Sequence, residues 1–95
     1  MDGKIGDGVK SIVYSRAFER FITHSKKSNK DLFQKIVYQV EKIVREPSFG
    51  KPLRYTLKNR RRVHIESYVL VYELVDNELR FLDCDHHDKI YKKFS

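Results

Sequence analysis

Arg62 and His64 stand two apart in the stretch RYTLKNRRRVHIESYVLVY, residues 54–72, where Val63 and Ile65 alternate with them. A strand with this pattern turns Val63 and Ile65 to a core and holds a guanidinium and an imidazole together on the opposite face. Such a pair suits chemistry on a phosphate, because arginine offers fixed charge to phosphoryl oxygens and imidazole exchanges protons near neutral pH. A second group of reactive types closes the chain, where DHHDKIYKKF places His86, His87 and Tyr91 directly after the last apolar run. Two readings of the histidines themselves are open: surface side chains with satisfied hydrogen bonds, or metal binding together with Cys84, Asp83 and Asp85. Against the metal, neighbouring strand residues point to opposite faces, Cys84 is the only cysteine, and no second ligand cluster has zinc-like spacing. No metal or other cofactor is therefore expected.

The charge pattern adds to the phosphate reading. The net charge is +7, and Lys51, Arg54, Lys58, Arg60, Arg61 and Arg62 fall between residues 51 and 64 with no acid among them. Glu73, Asp76, Glu78, Asp83 and Asp85 follow with only Arg80 against them. One basic surface is predicted, facing a polyanion, either nucleic acid or an acidic protein segment, or else simply solvated. The length of 95 residues suits one domain. Residues 9–95 are assigned to it and residues 1–8, with Gly3, Gly6 and Gly8, to a flexible leader. No run approaches the ~20 apolar residues of a membrane span, no secretory signal is apparent, and the lone cysteine fits a reducing cytoplasm.

The positioning elements follow from periodicity. Val9 to Tyr14 reads as a strand, and Ser15 caps a short helix carrying Phe18, Phe21 and Ile22 at i, i+3 and i+4. The polar cluster Ser25, Lys26, Lys27, Ser28 and Asn29 breaks that pattern, and Ser28 with Asp31 predicts the cap of a second helix. Leu32, Phe33, Ile36, Val37, Val40, Ile43 and Val44 form its apolar stripe to Arg45, and Pro47 ends it. Leu53 to Leu57 forms a strand, Asn59 turns it, and Arg61 to Glu66 returns. Tyr68 to Val75, apolar at nearly every position, is the central strand with both faces covered, and Asp76-Asn77 turns it into Leu79 to Cys84. The class is α+β: an N-terminal strand and helical hairpin on a mainly antiparallel sheet, with a short helical tail.

The phrase GKPLRYTLKNRRRVHIESYVLVYELVDNELRFLDCDHHDKIY, from Gly50 to Tyr91, together with this order of elements, resembles the RelE toxins of the RelE/ParE superfamily. The resemblance covers Val9 to about Phe94. It implies a helical hairpin packed on one face of a curved sheet whose concave basic face cuts messenger RNA in the ribosome. The implied reaction is metal-independent: a ribose 2′-hydroxyl attacks the neighbouring phosphorus and the 5′-oxygen departs, which needs proton transfer and charge stabilisation. Carried over residue by residue, the resemblance assigns the catalytic set to Arg62, His64, His86, His87 and Tyr91. Arg54 matches a basic residue of the family's strand entry, and the basic run as a whole assigns RNA binding to Lys51, Arg54, Lys58, Arg60 and Arg61. The implied partners are messenger RNA, the ribosome and a RelB-like antitoxin that wraps the toxin and covers its basic surface with acidic side chains.

Two departures matter. The family's Tyr-Arg pair is Tyr68 and Val69 here, so an arginine that grips the scissile phosphate is missing, and the closing arginine is His87. These replacements fit either a changed catalytic set, with His64 and His87 exchanging protons, or a weakened or lost nuclease. The alternative function is a non-catalytic or ParE-like toxin acting by binding an antitoxin or DNA gyrase. A generic RNA-binding module is harder to support, because most tyrosines and phenylalanines fall on core-facing positions where they form no stacking platform.

Overall fold

The apolar stripe of the second helix has the period of a buried face, and the computed structural model, which describes residues 8–53 and 59–94, gives it that role. In chain order the elements are β1 (Ser11–Tyr14), α1 (Arg16–Ser28), α2 (Lys30–Arg45), a 3-10 turn (Pro47–Phe49), β2 (Lys51–Pro52), β3 (Arg60–Ile65), β4 (Tyr68–Val75), β5 (Glu78–His86) and α3 (His87–Lys93). The sheet order is β1-β5-β4-β3-β2, with β1 parallel to β5 and every other pair antiparallel. This is the expected α+β class with a mixed five-stranded sheet. The Asp76-Asn77 turn has φ of 51° and 68°, the left-handed pair that a tight two-residue hairpin requires.

The sheet buries both faces, and each face has its own core. On the hairpin side Phe18, Leu32, Ile36 and Ile43 pack on Val63, Ile65, Leu70, Tyr72, Leu79, Phe81 and Cys84. On the other side Val69 and Val71 pack with Leu53 and with Ile90 of α3, joined by Leu82 and Phe94. The alternation of β4 sends Leu70 and Tyr72 to the hairpin and Val69 and Val71 to α3, which is why no polar residue interrupts residues 68–72. Opposite the Val71–Tyr72 step the register shifts, pairing Val71 with Asp83 and Tyr72 with Phe81, so Leu82 is an extra residue in β5. That bulge lets Leu82 join the second core.

Several boundaries differ from the sequence-based expectation. The polar cluster 25–29 does not break α1, which runs through it to Ser28. Ser25 and Ser28 turn their hydroxyls back to the carbonyls of Phe21 and His24, at 2.9 and 2.8 Å, and so remain compatible with helix. The cap of α2 is consequently Asn29, whose side chain accepts from the Leu32 amide at 3.1 Å, and not Ser28. The strand expected from Leu53 to Leu57 falls mostly on 54–58, outside the described residues, as does most of the 1–8 leader. Among the described residues, the pairing on this side of β3 is at Lys51–Pro52.

Tyr72 joins the two halves of the chain. Its ring is in the hairpin-side core and its hydroxyl donates to the Pro47 carbonyl at 2.6 Å while accepting from the Gly50 amide at 2.7 Å. Gly50 is needed there for space: a Cβ would lie 2.8 Å from the Tyr72 ring and 2.9 Å from the Arg62 carbonyl oxygen. Burial raises the phenol's pKa, so it stays a donor well into alkaline solution.

Two stability outcomes follow. Tyr72→Phe leaves the Gly50 amide and the Pro47 carbonyl without this partner and should cost about 1–3 kcal/mol in a denaturant titration. Val69→Arg puts an unpaired cation where Val69 is 0% exposed, beneath Ile90, and should cost about 3–5 kcal/mol rather than supply an arginine to an open site. A Val69→Arg chain that melts like the wild type would show that α3 does not cover this face.

Candidate active site

Register sets the floor of the site. Arg62 pairs with Val71 and His64 with Val69, so both side chains leave β3 on the face that carries the second core, opposite the hairpin. Lys51 pairs with Arg62 and shares that face. The wall is α3, and its seven residues are too few for a helix to persist unaided. Packing holds it instead. Ile90 is fully buried, and the His87 amide donates to the Ser67 carbonyl at 3.0 Å. At the other end the Lys93 ammonium donates to Asp83 at 2.8 Å and lies 3.6 Å from Asp85, while Phe94 lies under the Arg60 guanidinium at 5.3 Å. The hydrogen bond that Lys93 donates to Asp83 raises the Lys93 pKa first, with the charges of both carboxylates adding to it.

So anchored, α3 brings Tyr91 over β3. The Tyr91 hydroxyl oxygen accepts from Arg62 Nε at 3.2 Å and lies 3.1 Å from His64 Nε2. With the oxygen accepting from arginine, the phenol proton is available to an unprotonated Nε2, and in the other tautomer the imidazole donates instead. Three groups that can carry charge or exchange protons thus meet on one exposed surface. His87 lies one turn before Tyr91 on α3, at i and i+4, and so shares its side of the helix. Its Nδ1 is 3.1 Å from Asp88.

The remaining residues named from the sequence have other places. His86 is at a position of β5 that pairs with Tyr68, and its ring lies 4.5 Å from that of Tyr68, which in turn packs on Phe21 of α1. It therefore belongs to the hairpin side and is separated from His64 by the sheet. Arg61 points to the hairpin side as well, donating to the Gly50 carbonyl at 2.6 Å. Arg60 shares the face of Arg62 but is paired with Glu73 at 3.3 Å, and Glu73 is also paired with Arg80 at 3.3 Å. Arg54 and Lys58 lie outside the described residues. The five conceivable metal ligands are divided too, with Cys84 and His86 on one face of the sheet, Asp83 and Asp85 on the other, and His87 on α3. Burial, followed by the charges of Asp83 and Asp85, pushes the Cys84 thiol up to about 12, which disfavours the thiolate that a metal needs.

What the sequence reading missed is the support of the site: Ile90, Lys93, Asp83 and Phe94. One signal was available, since a central strand with two apolar faces demands a second cover and the tail offers the apolar Ile90 and Phe94.

Proteins similar to this chain in sequence and fold include toxins. Residues 12–91 match the family described as the ParE toxin of the type II toxin–antitoxin system parDE. A Methanocaldococcus jannaschii protein named as a candidate toxin, RelE4, is 36% identical over 80 residues, which span 81% of this chain and 85% of that protein. A chain of the Escherichia coli DinJ–YafQ toxin–antitoxin complex superposes with a TM-score of 0.71 at 24% identity, covering 84% of this chain and 94% of that one. A chain of the Staphylococcus aureus YoeB dimer does so with 0.72 at 19% identity, covering 88% and 98%. By family match and by homology over most of its length, the chain belongs to the ParE toxin family, within the RelE/ParE superfamily of type II toxin–antitoxin toxins.

Proposed function

We propose that this toxin is a metal-independent endoribonuclease that cuts messenger RNA on the ribosome, in the cytoplasm where ribosomes translate. The observation that carries the reading is the contact of the Tyr91 hydroxyl with both Arg62 and His64 on the open face. Cleavage by a 2′-hydroxyl needs one group to take its proton, one to return a proton to the departing 5′-oxygen, and a cation for the charge that grows on the phosphoryl oxygens. His64 takes the proton as the new phosphorus–oxygen bond forms. His87, on the Tyr91 side of α3, returns one as the bond to the 5′-oxygen breaks. Arg62 stabilises the phosphoryl charge in place of the arginine absent at Val69, and Tyr91 holds Arg62 and His64 in register. His86 has no part in this set. Lys51, exposed on the same face, contacts RNA, whereas Arg60 and Arg61 serve the fold.

A second reading is favoured by the family description itself, which names ParE. In that reading the same face binds a protein, DNA gyrase among the candidates, and no RNA is cut. In either reading the chain is restrained by a RelB-like antitoxin with acidic segments, in line with the solved toxin–antitoxin complexes of similar fold, DinJ–YafQ and YoeB–YefM.

The test is a translation reaction in which cut messages are mapped. Wild type should cut, and Arg62→Ala and His64→Ala should each lower cutting by roughly two orders of magnitude while melting within a few degrees of wild type. Messages left intact by wild type on active ribosomes, with inhibition of gyrase supercoiling in a parallel assay, would replace the nuclease by the protein-binding toxin.

A further inference from the structure

Among the described residues four aromatics are exposed, Tyr14, Tyr38, Phe49 and Tyr91, and two of them stand beside the site without belonging to it. Tyr38 of α2 is 57% exposed and Phe49 of the following 3-10 turn is 39% exposed. A single cation links them: the Lys42 ammonium lies 5.3 Å from the centre of the Tyr38 ring and 4.5 Å from that of Phe49. Phe49 then opens toward the site, lining a hollow of about 360 Å³ with Lys51, Arg62 and His64, and among the described residues no acid lines it. Tyr38 lines a second hollow of about 370 Å³, and His64 stands in the wall of both. In that second hollow the acids Asp31 and Glu66 are each paired with Lys35.

We propose that Tyr38, Lys42 and Phe49 form a track for single-stranded RNA leading away from the scission site. The proposal rests on the nuclease reading and extends it to the nucleotides flanking the cut. Bases stack on the faces of Phe49 and Tyr38, and phosphates lie against Lys42 and Lys51. Rings interleaved with cations are what single strands need, because every base has a face to stack and every linkage a charge to neutralise. The lysine has two functions, since its cation–π contacts hold both rings in orientation and fix an ammonium between them. Along a hollow without acids, a polyanionic strand meets no like charge from the Arg62–His64 pair to Phe49. A generic stacking platform is absent from the core-facing aromatics of the strands, and α2 with its following turn supplies one.

Fluorescence anisotropy with the full chain decides it, using two labelled 2′-O-methyl oligoribonucleotides that can be bound but not cut, a decamer and a trimer. Tyr38→Ala and Phe49→Ala should each weaken decamer binding by roughly five- to a hundredfold and leave the trimer unchanged. Lys42→Ala should lower the logarithmic salt slope by about 0.7. Phe49→Tyr should bind as wild type, whereas Phe49→Leu, which keeps apolar bulk without a ring, should bind as Phe49→Ala. Unchanged decamer affinity in the alanine variants overturns the track, as does a Phe49→Leu chain that binds like wild type. A decamer held no more tightly than the trimer overturns it too. Variants that lose affinity for the antitoxin instead of RNA would assign the rings to that protein and overturn the track. Failure of the nuclease reading looks different: the decamer would still be bound through these rings, but mapped messages would stay uncut.

Discussion

The site depends on the burial of Ile90 against Val69 and Val71. A seven-residue helix does not hold its shape in water, and fully burying an isoleucine side chain is worth about 1.5–3 kcal/mol, enough to decide whether α3 docks. Tyr91 is the next residue after Ile90, so the burial that keeps the helix also aims the phenol at Arg62 and His64. The Lys93–Asp83 pair adds less energy than direction. Asp83 is 5% exposed and would be costly there without a partner; Lys93 supplies one only when α3 lies in this orientation.

This dependence explains why Val69 is not simply a lost arginine. The resemblance to RelE toxins places a phosphate-gripping cation at that position, but a cation cannot occupy the floor of a packed cluster. Here the position has been given to packing, and the guanidinium that faces the open surface comes from Arg62 on the neighbouring strand. The same trade is visible in the rest of the basic run: Arg60 is committed to Glu73 and Phe94, and Arg61 to the Gly50 carbonyl.

How much of this was legible in the sequence differs by kind of information. Pattern carried far: the α2 stripe and the sharing of one face by Arg62 and His64 follow from spacings of 3.6 and 2, and the bounds of Tyr68–Val75 from an unbroken apolar run closed by a turn. Polarity carried less, because serines and lysines at the end of α1 resemble a loop in composition while their hydroxyls are satisfied within the helix. The β5 bulge was not legible at all. Nothing in Phe81-Leu82-Asp83 announces that Leu82 is the extra residue, and alternation counted through it from the wrong side exchanges the two faces. Adjacent His86 and His87 show the same limit: the strand ends between them, one ring goes to Tyr68, and the other joins the helix that carries Tyr91.

Exposed aromatics, too, are invisible to a reading that equates rings with cores. Tyr38 occupies the solvent side of an amphipathic helix whose stripe is complete without it, and Phe49 follows a proline turn that period cannot describe. Their exposure carries a cost in water, and Lys42 offsets part of it by covering ring surface with a charge that itself remains hydrated. A patch of that composition is stable in the free protein and becomes more so when a stacked base and a phosphate replace the water around it. The physical logic of the surface is therefore the reverse of that beneath α3. There, apolar contact fixes the reactive groups in advance; along α2, contact is left incomplete so that a flexible polyanion can complete it.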